Sequence, residues 1–81
     1  MADSALILRW MNIAHKRGNT ELRMELCVLR DFLDGILDDH KEYVMRHLPE
    51  IRRYLGEMRQ TEDVVRITAA LDTRLEVMGW L

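Results

Sequence analysis

Apolar residues recur at intervals of three and four along nearly the whole chain, and no stretch alternates apolar and polar positions for long. The first pattern indicates α-helix, whereas alternation would indicate a half-buried strand. The helical pattern is clearest in one run of large aliphatic residues: Leu22, Leu26, Leu29, Leu33 and Ile36. The sequence therefore predicts an all-α fold, a small antiparallel bundle of three to four helices in a single domain over residues 1–81.

Capping residues and glycine suggest where the first two helices begin and end. The first helix is predicted over residues 4–17, because Gly18 follows at a position where left-handed backbone often ends a helix. The second is predicted to be long, over residues 20–46, since its apolar stripe stays in phase and no proline interrupts it. A break near residues 38–39 is the alternative interpretation.

The second half of the chain holds one or two further helices. Pro49 predicts the start of the third, because a proline in the first helical position loses no hydrogen bond. Thr61, followed by two acidic residues, is typical of a helix start, and Gly79 of the corresponding end. No proline or glycine lies within residues 58–64, so a single helix that continues through them is the alternative.

The first helix is apolar over an unusually wide arc. Its apolar residues spread over roughly 220° when successive residues are placed 100° apart, about twice what a helix at the edge of a bundle needs. This helix should therefore be central in its bundle or buried against a second chain, and we predict a homodimer, with an exposed margin near Leu8 or Ile13. The members of the arc expected to contact a partner are Leu8, Trp10, Met11 and Ile13.

Charge adds two further candidate surfaces. The net charge is −2, which argues against nucleic acid as the main partner because phosphate binding needs concentrated positive charge. Acidic residues gather on the second helix, and those expected to contact a partner are Asp31, Asp34 and Asp38. Arginines gather over residues 46–66, and those expected to contact a partner are Arg52, Arg53 and Arg59.

No motif predicts catalysis or a cofactor. Ser4 is the only serine and the glycines are isolated, so the chain has neither a serine-nucleophile motif nor a phosphate-binding loop. His40 and His47 share one predicted helical face, and two histidines with a carboxylate can bind zinc or iron. Two helical turns separate them by ~10 Å, however, so ordinary half-buried or hydrogen-bonded histidines are the favoured interpretation. We expect no catalytic residue, no cofactor and no metal.

The same residues predict a cytoplasmic protein without a membrane partner. Cys27 is the only cysteine, so no internal disulfide can form and a reducing compartment is expected. The longest apolar run, residues 5–8, is far shorter than the ~20 residues that span a bilayer. The acidic first residues do not resemble a secretory signal.

Together these patterns favour a non-enzymatic, self-associating helical interaction module, a small regulator, inhibitor or adaptor that binds another protein. The alternative is a nucleic-acid-binding regulatory protein that acts as a dimer through the region Arg46–Arg66. Retention on heparin that falls steeply with salt would favour the alternative.

Overall fold

The four helices of the protein confirm the all-α prediction. The structure, a computed structural model, describes residues 2–81, and 78% of the chain is helical, without a strand in the described part. The helices are α1 (Ala2–Lys16), α2 (Thr20–Leu33), α3 (Lys41–Glu57) and α4 (Glu62–Met78).

Helix α2 packs against each of the other three helices. Successive helices run antiparallel: the Ser4 hydroxyl near the start of α1 donates to Asp34 just after α2, at 3.0 Å. The α3–α4 loop borders the same surface depression as the α1–α2 turn, so the chain returns to that end of the bundle between α3 and α4. The bundle therefore has two ends, one with the α1–α2 and α3–α4 turns and one with the turn between α2 and α3.

A single apolar cluster from all four helices forms the core. Its buried members are Ile7, Met11, Leu26, Val28, Leu29, Phe32, Val44, Leu48, Ile51, Leu55, Ile67, Leu71 and Leu75. The predicted stripe of α2 supplies the middle of this cluster. Leu29 is completely buried, Leu22 and Leu33 are half-buried, and Ile36 lies beyond the helix with 64% of its surface exposed.

The prediction of a long second helix is wrong, because α2 ends before Gly35. This glycine has a left-handed backbone with φ +83°, a conformation that side chains with a Cβ disfavour. Its amide donates to the Phe32 carbonyl at 3.1 Å and the Ile36 amide donates to the Asp31 carbonyl at 3.0 Å. These two bonds form a Schellman motif, which ends the helix, and residues 34–40 follow as a turn that contains the alternative break near 38–39.

The predicted ends of α1 and α4 and the predicted starts of α2 and α4 are confirmed, whereas α1 already includes Ala2 and does not start at Ser4. Gly18 and Gly79 both have positive φ and close the same Schellman motif after α1 and α4. The Asn19 side chain accepts from the Leu22 amide at 3.1 Å, and Thr61 accepts from the Val64 amide at 3.4 Å. Side-chain caps of this kind satisfy amides at the start of a helix that have no partner within it.

The predicted start of the third helix at Pro49 is also wrong, because Pro49 lies inside α3. Proline has no amide hydrogen, so at this position it removes the hydrogen bond that the Met45 carbonyl would otherwise accept within the helix. Helices α3 and α4 are separate, since Met58 adopts an extended backbone with ψ 153° and ends α3.

Substitutions at two glycines should have opposite effects if Gly35 ends α2. Gly35→Ala is expected to destabilise by about 1–2 kcal/mol, because alanine disfavours the left-handed backbone. Its Cβ would also meet the Arg74 guanidinium at 3.3 Å. Gly56→Ala, at a helical position with open space around it, is expected to stabilise by about 0.5–1 kcal/mol. Urea unfolding measures both, and a Gly35→Ala variant at least as stable as the parent would contradict the assignment.

Candidate functional site

Helix α1 lies at the edge of the bundle, and α2 occupies the centre. Ile7 and Ala14 of α1 are buried, whereas Leu8 and Ile13 remain 44% and 43% exposed. Leu8 and Ile13 are five residues apart in sequence, which is about 140° around a helix, so they lie on opposite margins of the buried face. Met11, predicted to contact a partner, is only 7% exposed and belongs to the core. The wide apolar arc is therefore covered in its middle and open on both sides.

A cleft of about 400 Å³ opens on the Ile13 side of α1, at the end of the bundle with the α1–α2 and α3–α4 turns. Ala14, Leu26 and Val64 are buried and form its floor, and half-buried Trp10 and Met58 line it nearer the surface. Two of the predicted partner-binding residues of α1, Trp10 and Ile13, therefore belong to one apolar depression.

The turn between α1 and α2 shapes one side of the cleft. The Asn19 amide donates to the Ala14 carbonyl at 2.9 Å, and the Gly18 amide donates to the His15 carbonyl at 3.0 Å. Ala14 and Asn19 both line the cleft, so the bonds that end α1 also fix the position of its lining.

The loop between α3 and α4 shapes the opposite side, and Gln60 holds it. The Gln60 side-chain amide donates to the Leu55 carbonyl and to the Met58 carbonyl, at 2.8 Å each. The Thr61 amide donates to the Arg59 carbonyl, also at 2.8 Å. These bonds fix Met58 and Arg59 against the cleft. Sequence reasoning missed Gln60, and no local pattern marks a glutamine that binds carbonyls of its own loop.

Positive charge dominates the rim of the cleft. Arg17, after the end of α1, and Arg59, in the α3–α4 loop, both line it and both are exposed. Within residues 2–81 neither guanidinium has an ion-pair partner, and no carboxylate lines the cleft. Arg59, predicted as part of a basic patch, thus joins Trp10 and Ile13 at a single site.

The other two arginines of the predicted patch are occupied elsewhere. Arg53 lies 2.7 Å from Glu50 and 3.1 Å from Glu57, and the Glu50 carboxylate raises the pKa of its guanidinium further above the usual value. Arg52 pairs with Asp72 on α4. The segment therefore offers less free positive charge than its sequence indicates.

The predicted acidic surface is likewise used within the molecule. Each of its three carboxylates accepts a hydrogen bond from a side chain of the same chain. The pairs are Asp31 with Arg30 at 3.4 Å, Asp34 with Ser4 at 3.0 Å and Asp38 with Arg74 at 2.7 Å. Two of these pairs connect the end of α2 and the following turn to α1 and α4. The acidic residues do not join Trp10, Ile13 and Arg59 at the cleft.

A hydrogen bond between Glu25 of α2 and His47 of α3 was not predicted. The Nδ1 atom of His47 lies 2.9 and 3.2 Å from the two carboxylate oxygens of Glu25, which is only 6% exposed. The Tyr43 ring packs against His47 with centroids 4.7 Å apart. The sequence did contain a signal, because Glu25 stands three residues after Leu22 and so lies on the apolar face of α2.

The two histidines considered for metal binding therefore have different surroundings. His47 is half-buried and bound to Glu25, as the favoured interpretation expected, whereas exposed His40 precedes α3 without a side-chain capping bond. In the part of the chain that the structure describes, no three histidine, cysteine, aspartate or glutamate side chains are grouped closely enough to hold a metal ion.

Comparisons with protein-family models, with curated proteins and with solved structures find no match. Among residues 2–81, no helix has both the length and the apolar character needed to cross a membrane.

The Glu25–His47 pair predicts a non-additive stability effect. His47→Leu is expected to cost about 1–3 kcal/mol, because the buried Glu25 carboxylate loses its partner. The double variant Glu25→Leu/His47→Leu removes both polar groups and should be more stable than His47→Leu alone. Chemical unfolding of the three proteins measures the difference, and a His47→Leu variant as stable as the parent would show that the pair contributes nothing.

Proposed function

We propose that the protein is a non-enzymatic interaction module, a regulator, inhibitor or adaptor that binds another protein through the cleft in the cytoplasm. The observation that supports it is the composition of the cleft: apolar Trp10, Ile13 and Met58 line it together with Arg17 and Arg59, whose guanidinium groups have no ion-pair partner within residues 2–81. Tryptophan, methionine and arginine are enriched in protein interfaces, and tryptophan and arginine are frequent where binding energy concentrates.

The polar groups at the cleft favour binding over catalysis. Asn19 and Thr61, its uncharged polar lining, already accept hydrogen bonds as helix caps. The guanidinium groups of Arg17 and Arg59 stay protonated and cannot act as a general base, and the indole N–H of Trp10 can only donate a hydrogen bond. Among residues 2–81 no histidine, carboxylate, serine or cysteine lines the cleft, and this composition supports binding of a ligand more than catalysis.

Crosslinking from the cleft tests this function. A photoreactive phenylalanine analogue replaces Ile13 in one variant and Val77, which is 76% exposed on the far part of α4, in a second. In native cells, position 13 is expected to crosslink to one predominant protein and position 77 is not, because the partner covers only the cleft. Mass spectrometry of the crosslinked products identifies that protein.

The control for crosslinking is the Trp10→Ala/Ile13→Glu double variant. Because position 13 is substituted in this variant, the photoreactive group is placed at position 59. The variant should retain its helical circular dichroism and lose the product, because an apolar wall is removed and a charge is placed in the cleft. Crosslinks to nucleic acid, or equal yields from positions 13 and 77, would refute binding of a protein at the cleft.

We propose further that the protein forms a homodimer through the opposite margin of α1. Leu8 lies there, exposed over 44% of its surface, and it is too far around the helix to line the cleft. A two-fold contact at this margin covers the same apolar residue on both chains and leaves both clefts open. Two margins of α1, near Leu8 and near Ile13, were predicted for self-association. In this proposal the Ile13 margin instead binds the partner protein at the cleft.

Light scattering at micromolar concentration measures this self-association. The parent protein is expected to be a dimer, and Leu8→Glu should shift it toward monomer, because two like charges would face each other across the contact. Val65→Glu, at an exposed position of α4, is the matched control and should remain dimeric. A monomeric parent would refute the homodimer, and a dimer that dissociates only with Ile13→Glu would place its contact at the cleft.

A further inference from the structure

Building on the proposed function, we infer that the cleft binds an acidic amphipathic helix of the partner protein. Its apolar anchors occupy the space between Trp10, Ile13 and Met58, and its carboxylates flank these anchors and pair with Arg17 and Arg59.

The distribution of charge selects an acidic ligand. Arg17 and Arg59 come from different elements, one after α1 and one in the α3–α4 loop, so positive charge borders the apolar lining at two places. Helices α2 and α4 also begin at this cleft, where Asn19 and Thr61 cap them. Acidic first-turn residues, Glu21 in α2 and Glu62 and Asp63 in α4, offset the partial positive charge of these helix starts, so the positive charge of the cleft lining is that of the two arginines. A basic segment would meet the like charge of Arg17 and Arg59 there, and among the described residues that line the cleft it would meet no carboxylate.

The surrounding architecture selects a helix rather than an extended peptide. Residues 2–81 contain no strand, so no sheet edge is present there to which a peptide strand could be added. The cleft is a gap between helices, and an amphipathic helix fills such a gap with apolar side chains at positions i, i+3 or i+4, and i+7. Trp10 and Ile13, three residues apart on α1, present the matching spacing on this side of the contact.

The arginines contribute selectivity more than total affinity. Both are exposed, so each pair with a carboxylate is screened by water and salt. Reversing one rim charge converts an attraction into a repulsion and should weaken binding by about tenfold at low salt. The apolar contacts with Trp10 and Met58 are insensitive to salt, so the acidic preference declines as ionic strength rises.

A selection experiment tests the inference with a defined probe. Displayed helical peptides carry fixed leucines at i, i+3 and i+7, and the flanking positions vary among glutamate, lysine, glutamine and alanine. The intact protein, immobilised, is expected to enrich glutamate beside the leucines. The Arg17→Glu/Arg59→Glu variant should instead enrich lysine, and Arg9→Glu, an equal charge change at an exposed residue outside the cleft, should select as the parent does.

Binding of the best selected peptide then separates the two proposals. Either single reversal at Arg17 or Arg59 should raise its dissociation constant about tenfold, while circular dichroism shows an unchanged fold. Arg17→Gln, which avoids an acidic residue at the end of α1, should give a smaller increase in the same direction. Peptides that bind at the cleft without preference for glutamate would overturn the acidic partner and leave the proposed function standing.

The remaining outcomes also decide between the proposals. Failure to select any helical peptide would overturn the inference alone, because crosslinking from position 13 reports on the cleft independently. Nuclear magnetic resonance shows where the selected peptides bind. Peptides that shift amide resonances only on other surfaces, and whose affinity is unchanged by Ile13→Glu, would argue against the cleft as the binding site.

Discussion

The packing of α2 against all three other helices is the constraint on which the architecture depends. An 81-residue chain buries roughly 60% of the surface that its unfolded form exposes, a smaller share than larger domains bury, and here one helix contributes to the core contacts of all the others. Leu29 and Phe32 of α2 are almost completely buried at the centre of that core. Because α2 takes the central place, α1 is left at the edge with more apolar surface than its neighbours cover. The cleft beside Ile13 is part of the apolar surface that remains uncovered because α1 lies at the edge.

The ends of the helices determine where the cleft lies and how rigid it is. Two turns meet at one end of the bundle, and each is held by hydrogen bonds to main-chain carbonyls, from the Asn19 amide in one and from the Gln60 side chain in the other. Arg17 and Arg59 extend from these turns. The opposite end is tied by pairs such as Asp38 with Arg74, and the Phe32 and Trp80 rings stack there at 5.6 Å. The apolar cleft therefore lies at one end of the molecule, and ion pairs and stacked rings join the helices at the other.

Periodicity and caps predicted the fold class and most helix boundaries, because these depend on residues close in sequence. The prediction failed where apolar spacing continued through a turn. Ile36 and Leu37 stay in phase with the stripe of α2, yet the left-handed backbone at Gly35 ends the helix. The sequence could not show which residues of the three predicted surfaces are paired within the molecule and which are free. Ion pairs such as Arg52 with Asp72 join residues 20 positions apart, so they depend on the packing of the helices. The Glu25–His47 pair likewise required the packing of two helices to become visible.

Binding of the proposed partner at the cleft would link the cellular lifetime of the protein to that partner. Trp10 and Met58 pack on the core and are only half-buried, so a ligand in the cleft would bury the apolar surface that these side chains leave exposed. A ligand that binds only the folded state lowers the population of opened molecules, and proteases act on those molecules. Unbound copies would then be degraded sooner than bound ones. The amount of this protein would follow the amount of its partner without any change in synthesis, so excess copies would be cleared by the ordinary turnover of marginally stable chains.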